Sequence, residues 1–299
     1  MKYIKIKLIF CTVCVTISIS FFILQEMVIL AKIILSNTLT QLLYFIGAVF
    51  VIGFAISLLN RLFYKISGGG KGICYATGLL GTPIHELSHA IMCLVFFHRI
   101  EEMSLYNIDD ENGVLGYVRH SYNSRNLYQV LGNYFIGIAP ILGGGAVIFI
   151  ATKFMMPTVY TDISVQLESF ATAAELGDNW FGSTLSAFFS IVKALFLGID
   201  EGFIFWVFLI VAFCIALHMN LSGADIKGSL GALPILIALF FAANFAIGFI
   251  SAEAYDGFVA FMNGAGAYLC AALLFSLILS AVCIVIALVI RIITSIFVH

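Results

Sequence analysis

Long apolar runs without charge dictate the solvent in which this chain must fold. No charged residue occurs from Leu8 to Leu24, from Gln41 to Asn60, from Phe203 to His218 or from Leu230 to Ile250, and Arg291 alone interrupts Ala265 to Phe297. About 20 apolar residues span a bilayer as a helix, because lipid offers no partner to backbone N–H and C=O groups and a helix satisfies them internally. With 62% of residues hydrophobic and only 10% charged, a soluble globular fold is excluded. The expected class is an all-α polytopic membrane protein with about six to seven transmembrane helices and the lipid bilayer as its surroundings. A net charge of −2, spread along the chain, gives no basic face for nucleic acid.

The N-terminus carries Lys2, Lys5 and Lys7 before the first run, which places it in the cytoplasm. Small residues at Ser18 and Ser20 allow a signal peptide. The polar break at Gln25-Glu26 is followed by more apolar sequence, however, which favours a retained first span. Met27 to Leu35 reads as an extension or interfacial helix, and Gln41 to Asn60 as a second span closed by Arg61 and Lys65. In Ser67-Gly-Gly-Gly-Lys-Gly72, Lys71 is followed by Gly72 and no strand precedes it, so the stretch is a basic turn and not a phosphate loop. The seven cysteines, including the Cys11/Cys14 pair, lie in apolar segments and read as buried thiols. Three parts result: N-terminal transmembrane helices at 1–71, a core at 72–250 and a C-terminal helix at 251–299.

Inside the third apolar segment, Gly72 to Phe97, stands His85-Glu86-Leu87-Ser88-His89. On a helix, residues four apart are rotated by roughly 40°, so the two imidazoles share a face with the Glu86 carboxylate beside it. This spacing supplies two nitrogen ligands for zinc and a base for water. An ionisable glutamate in an apolar span is costly without a purpose; the plainer reading is a polar cluster that holds helices together. Pro83 fits the first turn of a helix with Thr82 as N-cap, so a break is expected near Gly81-Thr82-Pro83, with the metal helix restarting in a wet cavity.

Residues 99–126 turn polar. Met103 to Ile108 and Val114 to Ser121 flank Asp109 to Gly113, and Asn112-Gly113 signals a β-hairpin, either a plain surface element or an edge for substrate. Leu127 to Met155 is a further span, where Asn133 either reaches the site or bonds between helices. Residues 156–201 read as a loop outside the membrane with a short interfacial or membrane helix over Leu185 to Gly198.

A catalytic zinc site has three protein ligands and an open position. His98 is excluded as a same-helix ligand, because nine residues after His89 it has turned by about 900° to the opposite side. Met92 and Val95 stand where the longer metzincin motif needs Gly and His. Asp225 lies in a polar island between two apolar spans and is the strongest candidate. It also completes a capping box, Ser222-Gly-Ala-Asp225, and His218 is its main rival. Glu201, Glu253 and Asp256 lie near span ends.

These residues resemble the site-2 protease family of intramembrane zinc metalloproteases. The resemblance rests on His85-Glu86-x-x-His89 in an apolar segment, Asn133 with Gly137 to Pro140 in the next span, and Asp225 after a later one, covering about residues 72 to 230. It implies a helical core in which His85, His89 and Asp225 hold Zn2+ and Glu86 activates water. A membrane-associated hairpin would help present a membrane-protein or peptide substrate. Asp225 stands in Gly-Ala-Asp-Ile-Lys-Gly, a departure from the family's L-D-G context, and no PDZ insert is visible. Two other functions fit the same residues: a zinc peptidase facing the aqueous phase, and a non-catalytic transporter or scaffold. No internal repeat is visible, which speaks against an inverted-repeat transporter.

Overall fold

A computed structural model describes residues 2–67, 71–108, 114–175 and 180–297. The glycines at 68–70, the turn at Asn112-Gly113, Asp178 and the side chains of Cys11 and Cys14 lie outside the described residues.

The helices are α1 (Lys2–Leu42), α2 (Val49–Ile66), α3 (Lys71–Val95), α4 (Leu127–Met155), α5 (Pro157–Glu175), α6 (Trp180–Leu197), α7 (Phe203–Ala216), α8 (Gly223–Gly248) and α9 (Ala252–Phe297). Strands β1 (Arg99–Ser104) and β2 (Tyr117–Ser121) pair antiparallel between α3 and α4, a hairpin where the polar segment predicted one, although the first strand begins four residues before the expected Met103 to Ile108. Among the described residues, four helical stretches are long and apolar enough to cross a membrane: Ile17–Ile66, Leu127–Met155, Gly223–Gly248 and Ala252–Val289.

Two sequence expectations fail in the N-terminal half. The first two expected spans are not separated, because α1 continues through a π-helical stretch (Leu43–Ala48) into α2. The polar break at Gln25-Glu26 does not end the helix: both residues are good helix formers, both are exposed, and no glycine or proline occurs before Gly47. Likewise α3 runs unbroken through Pro83, and Thr82 caps nothing; its Oγ1 is buried without a hydrogen-bond partner among the described residues. Tertiary contacts hold the helix on both sides of the proline. Gly81 packs on the Cys214 carbonyl and the His218 ring, and His85 bonds to the His218 carbonyl. A proline's missing bond is tolerated where neighbouring helices fix the chain in this way.

The third correction concerns 156–201. In place of a loop with one short helix, α5 and α6 occupy the segment, pack on each other and rest on α9.

At the centre lies α4, which packs against α3, α5, α7, α8 and α9. Its Asn126 N-cap accepts hydrogen bonds from the N–H groups of Tyr128 and Gln129, at 3.0 and 3.4 Å. Tyr134, Ile138, Ile141 and Ile148 are fully enclosed and join Val49, Ile56, Phe208 and Ile215 in one apolar core. Polar side chains bind the helices where burial leaves no water. Asn60 of α2 donates to Ala216 O at 2.9 Å, fixing the end of α7, and Asn244 of α8 donates to Gln41 of α1 at 2.6 Å. Such interhelical bonds contribute on the order of 0.6–2 kcal/mol each and fix which faces of the helices meet.

The exit of α3 sets the course of the hairpin. His98 N–H reaches Cys93 O at 2.8 Å and Phe97 N–H reaches Leu94 O at 3.2 Å, the pairing of a Schellman motif. Phe97 therefore sits at the left-handed position, with φ of 57° and 74% of its surface exposed. A bulky residue there carries a strain of about 1 kcal/mol that glycine avoids. Phe97→Gly is expected to raise the thermal unfolding midpoint of the detergent-solubilised protein by an amount equivalent to about 1 kcal/mol. An unchanged or lower midpoint would show that the ring's contact with Tyr128 outweighs the strain.

Candidate metal centre

His85, Glu86 and His89 bring their ligand atoms within 4.8 Å of one another. The apolar side of α3 explains their orientation. Leu80, Leu87, Ile91 and Leu94 are exposed on one face, while Glu86 and His89 are buried on the other against α4 and the hairpin.

Backbone carbonyls decide what the two imidazoles offer. His85 Nδ1 lies 2.7 Å from His218 O, and His89 Nδ1 lies 2.7 Å from Ile136 O. A carbonyl only accepts, so both rings carry their proton on Nδ1 and present Nε2 as a lone pair. These two Nε2 atoms face each other at 3.3 Å. Two lone pairs so close repel unless a cation stands between them. Metal bonds of about 2.0–2.2 Å place tetrahedral ligand atoms roughly 3.3–3.6 Å apart, which this separation meets.

Asp225 joins them from the start of α8. Its Oδ1 lies 3.5 Å from His89 Nε2, again a tetrahedral edge. Its Oδ2 accepts from Ser222 N–H at 2.8 Å, while its own N–H donates to Ser222 Oγ at 3.1 Å. Capping and facing the site were rival readings in the sequence; the two carboxylate oxygens separate them, and the cap aims the second oxygen. Gly137 of α4 makes the approach possible. A Cβ there would lie 2.5 Å from Asp225 O and would collide with Ser229 Oγ, so only glycine lets α8 come this near.

The hairpin closes over Glu86. Tyr106 OH donates to Tyr75 O at 2.6 Å, tying the hairpin to α3. A Cβ on Gly116 would lie 2.8 Å from Glu86 Cγ and 2.7 Å from Thr82 Cγ2, so the backbone before β2 rests directly on the glutamate.

The other sequence candidates fall elsewhere. His218 contributes its carbonyl and not its ring: its Nδ1 turns back to Cys214 O at 3.0 Å, and the ring lies against Gly81. Asn133 is buried on α4, one turn before Ile136 and Gly137, on the side that meets His89 and Asp225. Glu253 and Asp256 are exposed at the start of α9, and Glu201 accepts from Thr158. Sequence reasoning missed the carbonyls of Ile136 and His218, because a backbone acceptor leaves no residue signal. It also missed Gly116 and a contact between His98 and His120, whose Nδ1 atoms lie 3.0 Å apart.

Compared with known proteins, the chain matches no family profile, no curated protein and no solved structure.

Two expectations follow from this geometry. Gly137→Ala should lower metal affinity about tenfold or more in a chelator-competition titration, by displacing Asp225. Gly231→Ala, in an open part of α8, should leave it unchanged; equal affinities in both variants would remove Gly137 from the site. The second expectation concerns pH. Burial, foremost, lowers the pKa of both His98 and His120, and His120 is lowered further by His98 and His89. The folded hairpin thus binds fewer protons than the unfolded one near the ordinary histidine value of 6.5, so stability is full above that pH and is lost as pH falls below it. Amide exchange over 99–104 and 117–121 should accelerate on acidification through this range, whereas a flat profile would contradict it.

Proposed function

We propose that the chain is a zinc-dependent intramembrane endopeptidase of the site-2 protease type, acting on membrane-embedded proteins or peptides. His85, His89 and Asp225 are the metal ligands in this reading and Glu86 is the general base. One observation carries it: two imidazole nitrogens stripped of their protons face each other at 3.3 Å beside Glu86, and a carboxylate oxygen of Asp225 lies 3.5 Å from that of His89, separations that suit ligands sharing one metal ion. Two imidazoles and one carboxylate with a position left open suit catalytic zinc. In this reading α3 and α7 also lie within the bilayer, packed among the longer helices, and the lysines of α1 keep the N-terminus cytoplasmic.

Zinc held by His85, His89 and Asp225 would supply a Lewis acid for the attacking water and the peptide carbonyl. Glu86, buried beside the ligands, takes a proton from that water and returns it to the leaving amine. Asn133, on the same side of α4 as the His89 acceptor, donates a hydrogen bond to the oxygen on which charge develops. A helical substrate hides its peptide bonds, so it must unwind locally. The hairpin lying over Glu86 offers backbone partners to the unwound segment.

The test is zinc analysis and peptide cleavage by purified full-length variants. Glu86→Gln should lose cleavage by a factor of about 10²–10⁴ and keep its zinc. Asp225→Ala should lose zinc, and His218→Ala should keep it, because only the His218 carbonyl serves the site. Full zinc in Asp225→Ala would sink the ligand assignment, and loss of zinc in Glu86→Gln would make Glu86 structural.

A further inference from the structure

The hairpin carries two histidines that the pentad chemistry does not use. His98, with 4% of its surface exposed, places Nε2 2.7 Å from Gln129 O. Since a carbonyl only accepts, neutral His98 carries its proton on Nε2 and leaves Nδ1 as a lone pair. The Nδ1 of His120, 3.0 Å away, must then be the donor. His120 is left with an unprotonated Nε2. The Tyr122 ring stacks on His98 at 5.0 Å and 16°, which holds the pair in place. Gln129 O and His98 thus fix the tautomer of His120, as the backbone carbonyls do for His85 and His89.

Strand alternation shows where His120 sits. Gly116, Val118 and His120 share one face, and Tyr117 and Arg119 share the other. On the outer face Arg119 pairs with Glu102 at 3.0 Å. The face that holds Gly116 rests on Glu86 and Thr82. His120 also stands opposite a β-bulge, where Glu101 is the extra residue between Ile100 and Glu102. Bulges increase twist and redirect side chains, and they recur beside active sites. His89 and Asp225 are among the titratable groups near enough to act on His120, with His98 and Glu101.

The geometry points to His120 as a substrate-positioning residue: its Nε2 accepts a hydrogen bond from a backbone N–H of a peptide segment bound alongside the hairpin. This rests on the peptidase reading. An unwound apolar segment exposes N–H groups that need acceptors where water is scarce, and a neutral imidazole with a fixed tautomer is one. Protonation of Nε2 turns the acceptor into a donor and ends the interaction.

The experiment uses full-length, zinc-loaded protein in detergent and an apolar peptide of about 20 residues with a fluorophore–quencher pair as the probe. His120→Asn keeps a donor for His98 and loses the atom at Nε2; KM should rise about five- to tenfold. His120→Gln places its amide at the Nε2 position and should bring KM back to within about twofold of wild type. Wild-type KM should rise as pH falls below the ordinary histidine value, and KM of His120→Gln should not. Both variants should hold zinc, which reports an intact centre. An unchanged KM in His120→Asn, or an equal rise in both variants, overturns the assignment while the peptidase reading stands. Zinc-loaded wild type that cleaves no peptide overturns the peptidase reading and this inference with it.

Discussion

Two N–H···O=C bonds, His85 to His218 and His89 to Ile136, are what the arrangement of the molecule depends on. Each removes the proton from the nitrogen that faces the site and sets the plane of its ring. Such partners fix tautomer and orientation, and losing one costs metal affinity as surely as losing a ligand. Both acceptors are main-chain atoms of other segments. The end of α7 and the middle of α4 must therefore stand at hydrogen-bonding distance from α3, and the packing of three helices is written into the chemistry of two side chains.

That demand accounts for several features with no direct part in the chemistry. Asn60 fixes the turn after α7 by bonding to Ala216 O and Asn220, which holds the His218 carbonyl in place. Gly137 lets α8 approach α4 closely enough for the carboxylate to arrive, and the Ser222 cap turns Oδ1 toward His89. Pro83 survives inside α3 because contacts to α7 lie on both sides of it. At the other end, Phe97 accepts a left-handed backbone so that His98 turns inward beneath the hairpin.

The chain announces its chemistry more openly than its architecture. The pentad, the hairpin after it and the capping box at Ser222 are local patterns and were readable as such. Local pattern misled where distant contacts outweigh it. Pro83 and Thr82 looked like a helix start, Gln25-Glu26 looked like a polar break after the first span, and 156–201 looked like a loop with one short helix because its scattered polar and acidic residues hide two helices. His218 and Asp225 were rivals in sequence, since both are ligand types in one polar island. In the structure each meets one of the two imidazoles: the His218 carbonyl bonds to His85, and the Asp225 carboxylate lies 3.5 Å from His89.

The sequence by itself determined a helical, lipid-compatible chain and the pairing of His85 with His89, because charge-free runs and a four-residue spacing act through one segment at a time. Only the tertiary structure decided which nitrogens are bare, that Asp225 meets His89, and that Gly116 lays the hairpin on Glu86. Those outcomes depend on carbonyls and close approaches between segments far apart in the chain, and a backbone oxygen is the same in every residue.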